Sequence, residues 1–241
     1  MAGDNVSVSA RPRSDLPVRL ASALVMVAIT AIALWLGGWF WTGFVILVGG
    51  LALWEWNALV RKTDASPLAE VVWLFFGAIY VCGAALALVQ VRFNYDALSV
   101  AVAFALPVIA VDVGAYFAGR ALGGPRIAPS ISPSKTWAGL LGGALAASIV
   151  GIIVEVADIG PGIFEPGITV VGFALAVLAG VLIAVIAQAG DFFESWMKRR
   201  AGVKDSSNLI PGHGGVLDRL DGFIAVFFVL FLVALVPGLL G

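Results

Sequence analysis

Long apolar stretches alternate with short polar segments along most of the 241-residue chain. A helix needs about 20 apolar residues to cross the hydrocarbon core of a bilayer, which is roughly 30 Å thick. Stretches of this length predict seven spans, at Leu20–Leu36, Trp41–Val60, Ala69–Val91, Leu98–Phe117, Ala138–Val154, Ile168–Ala189 and Phe223–Leu240. The expected fold class is therefore an all-α, polytopic helical bundle integral to the membrane.

Composition agrees with this class. Hydrophobic residues make up 61% of the chain and charged residues only 12%, whereas a soluble domain carries about 25% charged residues. The net charge is −1, and the chain has no basic stripe with interleaved aromatic residues. We therefore expect the lipid bilayer as a partner and no nucleic acid.

Basic residues are distributed unevenly between the two sets of span ends. Thirteen of the fourteen Lys and Arg residues lie at one set, and only Arg92 lies at the other. Because basic loops are retained in the cytoplasm, this bias predicts a cytoplasmic N-terminus. The two long polar loops, which follow the fourth and sixth spans, should also face the cytoplasm. The pattern is typical of a multi-pass protein of a bacterial-type inner membrane.

Unexpected polar residues are concentrated in the second part of the chain. Residues 1–95 form a region of three ordinary hydrophobic spans, and residues 96–241 form a four-span region with the two polar loops. An ionisable side chain near the hydrocarbon is costly unless it is paired, hydrated or ligand-bound. We therefore expect the function to lie in residues 96–241.

The polar segment that follows the sixth span combines carboxylates, a hydroxyl, cations and glycines. If the sixth helix continues beyond its apolar part, Asp191, Ser195 and Lys198 share one face, and Asp218 and Asp221 share one side of the next helix. Carboxylates beside Lys and Arg are the groups that bind magnesium and polyphosphate. Alternatively, the cations serve only to set topology, but topology does not require three aspartates near span ends.

A second polar cluster lies between the fourth and fifth spans. Asp112 and Tyr116 are one helical turn apart, and Ser132, Lys135 and Thr136 precede the fifth span. Hydroxyls, backbone N–H groups and a lysine at a helix N-terminus can bind a phosphate, although an ordinary N-cap gives the same pattern. The chain has no G-x-x-x-x-G-K-[ST] motif, which excludes a P-loop nucleotide site.

The segment Ser195 to Asp221 resembles the signature of the phosphatidate cytidylyltransferases, or CDP-diacylglycerol synthases. That signature is S-x-hydrophobic-K-R, four residues, then K-D-x-small-x-x-hydrophobic-[PGS]-x-H-G-G-hydrophobic-x-D-R-hydrophobic-D. The chain fills it without a departure, at Ser195, Lys198, Arg199, Lys204, Asp205, Ser207, Ile210, Pro211, His213, Gly214, Gly215, Asp218, Arg219 and Asp221. The resemblance extends upstream through Asp191 and Asp112 and covers most of residues 110–225.

The resemblance implies a reaction in which CTP and phosphatidic acid give CDP-diacylglycerol and pyrophosphate. It implies a Mg²⁺-dependent in-line attack by the lipid phosphate, without a covalent intermediate, at a site that faces the cytoplasm. A second cation, monovalent or divalent, and a homodimer are left open. The implied metal ligands are Asp191, Asp218 and Asp221, and the implied catalytic set adds Lys198, Lys204 and His213. The implied substrate contacts are Ser132, Lys135, Thr136, Arg199, Arg219, Asp112, Tyr116, Ser195 and Asp205.

Three points of the resemblance need comment. His213 could donate a proton to a phosphate or make a structural hydrogen bond within the loop. Ser134 stands where relatives often carry a second lysine, and Ala138 stands where they often carry a glutamate. We interpret both departures as family variation, because Lys135 and Thr136 are present.

Three other classes of protein fit less well. A CDP-alcohol phosphotransferase would require a D-x-x-D-G-x-x-A-R run, and Asp218, Asp221 and Gly222 match only its first half. A transporter of anions would show inverted repeats, and the sequence has no detectable repeat. A structural scaffold would have no use for a complete nucleotidyl-transfer signature.

Overall fold

The structure is a computed structural model that describes residues 16–159 and 169–235. Within these residues the chain folds into seven consecutive helices. They are α1 (Leu16–Leu36), α2 (Gly38–Val60), α3 (Pro67–Asn94), α4 (Ala97–Leu122), α5 (Trp137–Val156), α6 (Val170–Arg200) and α7 (Leu217–Ala234). A π-helical segment, Val100–Ala105, lies near the start of α4.

The predicted class of an all-α membrane bundle is confirmed. Among the described residues, α1 to α6 are long and apolar enough to cross a membrane. The last helix, α7, is apolar after its first turns, which carry Asp218, Arg219 and Asp221. The cytoplasmic position of the N-terminus stays a prediction.

Two helices extend beyond their predicted apolar spans, as the polar residues next to those spans had suggested. The sixth span was expected to end at Ala189, but α6 continues as a regular helix to Arg200. The seventh was expected to begin at Phe223, but α7 begins at Leu217, and the predicted end of this span lies outside the described residues. Hydropathy marks the part of a helix that contacts lipid, whereas a helix can extend beyond that part through polar residues. Three basic residues in the last turn of α6 also favour its extension through the helix dipole.

The main core joins helices from both parts of the chain. Trp56 and Leu59 of α2 and Tyr80 of α3 belong to one buried cluster with Leu217 and Phe227 of α7. The Trp56 indole N–H donates to the Trp73 carbonyl oxygen at 3.0 Å, so its polar group is satisfied within the core. The region boundary expected near residue 95 stays a prediction, and residues on its two sides share this core.

Helices α4, α5 and α6 pack through small residues, with their backbones in close contact. A Cβ added at Gly142 of α5 would lie 2.2 Å from the Ala118 Cβ and 2.7 Å from the Gly114 carbonyl oxygen of α4. A Cβ added at Gly180 of α6 would lie 2.4 Å from the Ser148 backbone nitrogen of α5. Such close packing is typical of membrane helices, and it fixes α4 and α6 relative to each other.

The first helix is packed least. Ala33 is its one buried residue, and apolar side chains such as Leu20, Leu24 and Val27 are exposed along its length. An apolar surface of this kind is expected to face lipid. The N-terminal end of α1 nevertheless contacts the loop between α6 and α7, which contains most of the signature residues.

Candidate active site

The polar loops gather at one side of the bundle. The α4–α5 loop contacts the end of α6, where the Arg199 Nε donates to the Ile131 carbonyl oxygen at 3.4 Å. The α6–α7 loop contacts α2, where Ser206 Oγ lies 3.1 Å from a Glu55 carboxylate oxygen. The α4–α5 loop thus contacts the last turn of the helix from which the α6–α7 loop begins.

A cavity of about 590 Å³ opens between α4, α6 and α7. We call it the carboxylate cavity, because aspartates dominate its lining. The lining consists of Ile109, Asp112, Asp191, Lys198, Asp205, Asp218, Arg219, Asp221 and Phe223. Seven of the predicted site residues thus lie around one space, although they come from distant parts of the sequence.

The close approach of α6 and α7 brings two of these carboxylates near each other. A Cβ added at Gly190 would lie 2.5 Å from the Ala225 Cβ and 2.7 Å from the Asp221 carbonyl oxygen. Only a glycine allows this contact, which occurs one residue before Asp191. The Gly190-Asp191 pair of the sequence therefore has a packing role beside a chemical one.

Asp218 is held by a dense set of donors. The Lys198 Nζ donates to Asp218 Oδ1 at 2.7 Å, and it also contacts Glu194 at 2.7 Å. The Ser206 N–H, the Ser206 hydroxyl and the Gly215 N–H all lie within 3.1 Å of Asp218 oxygens. A carboxylate offers about four lone-pair sites, so these contacts engage both oxygens of Asp218, which is only 9% exposed.

Asp191 and Asp221 have fewer protein partners. Asp191 pairs with the Lys135 ammonium, and the Ser195 hydroxyl lies 3.4 Å from its other oxygen. Asp221 Oδ1 accepts the Gly222 N–H at 2.7 Å. Both carboxylates line the cavity and retain acceptor sites that could face a ligand.

Within the described residues, the carboxylates of the cavity do not complete a metal site by themselves. Within residues 16–159 and 169–235, no three Asp, Glu, His or Cys side chains are close enough to hold an ion by themselves. Mg²⁺ at nucleotide sites is usually bound through one or two carboxylates, water and the substrate phosphates. Asp191 and Asp221 meet that smaller requirement, so these residues are compatible with a Mg²⁺ ion whose other ligands would be water and a phosphate-bearing substrate.

A second cavity of about 510 Å³ lies beside the first. Lys204 and His213 line this cavity and not the carboxylate cavity, whereas Asp205 and Arg219 line both. The His213 Nδ1 lies 2.9 Å from the Ser22 hydroxyl of α1. The side chain of His213 therefore contacts α1, and the choice between its two expected roles stays open.

The remaining predicted substrate residues lie around the cavities and not in their linings. Thr136 caps α5, because its hydroxyl accepts the Gly139 N–H at 3.1 Å. Ser132 is buried in the α4–α5 loop, and Tyr116 is 58% exposed, with its hydroxyl 3.3 Å from Arg120 Nη1. Lys135 and Ser195 do not line the carboxylate cavity, but both side chains contact Asp191, which does.

Sequence reasoning missed Glu55 of α2. Its side chain is 0% exposed. It accepts the hydroxyls of Ser206 and Ser207 at 3.1 and 2.5 Å, and the N–H groups of Val216 and Leu217 at 2.9 and 2.6 Å. All four donors belong to the α6–α7 loop or the first turn of α7. A residue from the N-terminal region therefore holds the signature segment in place.

A sequence signal for Glu55 existed. It is an acidic residue inside a predicted span, between Trp54 and Trp56, and ionisable residues in spans mark functional positions. Sequence reasoning also missed Glu194, which lies beyond the predicted sixth span, contacts Lys198 and is 3% exposed. Both residues were overlooked because each sits in a segment that was interpreted by its hydropathy or its motif alone.

The glycines of the H-G-G motif allow the loop to fold around these carboxylates. Gly214 has φ +86°, a backbone conformation that favours glycine. A Cβ added at Gly215 would lie 2.0 Å from Ser206 Oγ and 2.6 Å from a Glu55 oxygen. The Gly215 backbone N–H can reach Asp218 because no side chain stands in this space.

Known proteins resemble the chain across these elements. The model of the cytidylyltransferase family matches residues 62–236. The phosphatidate cytidylyltransferase of Brucella suis biovar 1 is 36% identical over 91% of this chain and 93% of its own. That of Rickettsia bellii is 31% identical over 92% of each chain. That of Haemophilus influenzae is 47% identical, over 48% of this chain and 38% of its own.

These matches confirm the resemblance found in the signature. The family model includes α3 to α7 and therefore every residue that lines the carboxylate cavity, and it includes every residue that lines the second cavity except Arg19. The chain belongs to the cytidylyltransferase family that includes these bacterial phosphatidate cytidylyltransferases, and it is a membrane-embedded nucleotidyltransferase.

Proposed function

We propose that the chain transfers CMP from CTP to phosphatidic acid, which yields CDP-diacylglycerol and pyrophosphate. The observation that carries the proposal is the carboxylate cavity, where five aspartates, Lys198 and Arg219 surround one space at the polar side of a membrane bundle. Carboxylates and cations side by side suit a metal-bound polyphosphate. The names of the relatives supply the acceptor, phosphatidic acid.

The reaction requires no nucleophile from the protein. An oxygen of the phosphatidate phosphate forms a bond to the α-phosphorus of CTP, while the bond from that phosphorus to the pyrophosphate oxygen breaks. The protein contributes position and charge. Lys198, fixed between Glu194 and Asp218, would neutralise charge on the reacting phosphates, and Arg219 could donate two parallel hydrogen bonds to phosphate oxygens.

Magnesium is the cofactor that we assign to this site. Asp191 and Asp221 would hold the ion, which when bound neutralises charge on the CTP phosphates. Asp218 was also expected as a ligand, but its oxygens accept from Lys198, Ser206 and Gly215. Its role in this proposal is to position Lys198 and the α6–α7 loop.

The purified protein should release pyrophosphate from CTP only when both phosphatidic acid and Mg²⁺ are present. Detergent-solubilised protein, radiolabelled CTP and a panel of divalent metals give this measurement. Release of pyrophosphate without a lipid acceptor, or transfer to an alcohol from CDP-diacylglycerol in its place, would refute the proposed function. The second result would favour a CDP-alcohol phosphotransferase.

Asp191→Asn and Asp218→Asn should affect the Mg²⁺ dependence differently. Asp191→Asn removes a metal ligand, so turnover should fall about 100- to 1000-fold and the Mg²⁺ concentration for half-maximal activity should rise. Asp218→Asn disturbs Lys198, so turnover should fall while the Mg²⁺ requirement stays the same. Magnesium titrations of turnover provide the comparison.

Asp64→Asn, on the exposed α2–α3 connection, is the matched control and should behave as wild type. A shifted Mg²⁺ requirement in Asp218→Asn, or an unshifted one in Asp191→Asn, would show that the metal ligands are assigned wrongly.

We place the active site on the cytoplasmic face of a bacterial inner membrane, where CTP is present. The support is the position of thirteen of the fourteen basic residues at span ends of the same side. In a Cys82→Ala background, Asn208→Cys should react with an impermeant maleimide only after the membrane is opened. Ala157→Cys, at the opposite end of the bundle, should react in intact cells. Both positions are exposed, and the reverse labelling pattern would invert the topology.

A further inference from the structure

The second cavity differs from the first in its charge. Among the described residues, three cations line it, Arg19, Lys204 and Arg219, together with one carboxylate, Asp205. We call it the basic cavity. A phosphate group that carries no metal requires cationic donors of this kind, whereas the carboxylate cavity requires a metal before it can accept an anion.

Helix α1 forms part of the basic cavity through direct contacts with the signature segment. The Ser22 hydroxyl lies 2.9 Å from His213 Nδ1 and 3.0 Å from the Pro211 carbonyl oxygen. A Cβ added at Gly212 would lie 2.7 Å from the Arg19 Cγ. These contacts place the Arg19 side chain against the P-G-H turn of the loop.

The same helix offers an apolar surface next to this cation. Leu20, which follows Arg19 in the chain, and Leu24, one turn further along α1, are exposed on one face, and the helix is long and apolar enough to cross the membrane. Arg19 thus lies where a polar cavity meets a surface that lipid is expected to cover. A ligand with a phosphate and two acyl chains has both chemistries in one molecule.

We propose that the basic cavity binds the phosphate of phosphatidic acid, with the acyl chains along α1. This inference rests on the proposed function. The reaction joins a metal-bound triphosphate to a phosphate monoester, so it requires two neighbouring anion sites of different character. Arg219 lines both cavities and marks the border at which the lipid oxygen would meet the α-phosphorus of CTP.

Arg19→Gln should raise the KM for phosphatidic acid at least about tenfold and leave the KM for CTP unchanged, because a charged hydrogen bond to one substrate is lost. Lys204→Gln should also raise the KM for phosphatidic acid. Arg61→Gln, which removes an exposed cation from the same side of the bundle outside both cavities, should leave both constants unchanged. Initial rates at varied concentrations of each substrate, in mixed micelles, give these values.

Pyrophosphate inhibition separates the lipid phosphate from a free phosphate in the basic cavity. If the cavity holds the leaving pyrophosphate, Arg19→Gln will weaken inhibition by pyrophosphate and leave the KM for phosphatidic acid unchanged, which would overturn the inference. A raised KM for CTP, or no change in either KM, would also overturn it. Failure of the proposed function would be distinct, because the wild-type protein would then show no phosphatidate-dependent turnover.

A second inference comes from the independent contacts of Glu55. Val216, at the N-cap position of α7, makes no side-chain cap hydrogen bond within the described part of the chain. Glu55 instead accepts the N–H groups of Val216 and Leu217. A carboxylate at a helix N-terminus satisfies free N–H groups and interacts favourably with the helix dipole.

The capped helix carries Asp218, Arg219 and Asp221 in its first turns. Ser206 Oγ lies 3.1 Å from Glu55 and 3.0 Å from Asp218, so it connects the cap to the centre of the site. The geometry assigns Glu55 as a positioning residue of the active site, which acts from α2 through Ser206 and the start of α7.

Glu55→Gln should lower kcat about 10- to 100-fold and change both KM values little, because the reacting groups are displaced while the substrate contacts persist. Ser207→Ala removes one Glu55 hydrogen bond without a change of charge, and it should lower kcat by a smaller factor. The double variant Glu55→Gln with Ser206→Ala should lower kcat by less than the product of the two single-variant factors, because both changes act through the same contact. Kinetics per folded molecule, with thermal unfolding in detergent, provide these data.

Glu70→Gln is the matched control in the N-terminal region, since Glu70 makes no side-chain hydrogen bond to any described residue. It should keep wild-type kcat. Wild-type kcat per folded molecule in Glu55→Gln would show that Glu55 serves stability alone. If Glu55→Gln does not fold, unchanged kcat in Ser207→Ala would refute the inference on its own.

Discussion

The ion pair between Lys198 and Asp218 is the contact on which the site depends. It joins the last turns of α6 to the first turn of α7 across the loop that separates them. Both side chains are largely buried, and removal of one partner from a buried pair costs about 3–5 kcal/mol, because the other charge is left unpaired. The Ser206 and Gly215 donors to the same aspartate make the loop conformation part of this contact.

Membrane packing places this pair beside the other reactive groups. Small residues allow α4, α5 and α6 to approach through their backbones, so Asp112 and Asp191 are brought to one cavity from distant spans. Gly190 likewise allows the backbones of α6 and α7 to approach closely. Rigid apolar helices thus support polar groups that could not be held near lipid by flexible loops alone.

The two cavities suggest how one site could handle two different anions. The carboxylate cavity suits a nucleotide with its metal, and the basic cavity suits a phosphate on a lipid, with Arg219 in the lining of both. In the proposed reaction, their position at the polar side of the bundle would let CTP enter from water and the lipid from the bilayer. Helix α1 contributes little to the core, but its Arg19 lines the basic cavity and its Ser22 contacts the α6–α7 loop.

The sequence by itself determined the fold class and pointed to most of the residues that line the carboxylate cavity. Hydropathy alone located the apolar helices, because bilayer thickness sets their length. The signature contains Lys198, Asp218 and Asp221, and Asp191 lies just upstream of it. Hydropathy did not locate the end of α6, since a helix can continue beyond the lipid. Only the tertiary structure showed that Glu55 and Arg19 reach the signature loop, because hydrogen bonds and packing between residues more than 150 positions apart leave no local pattern.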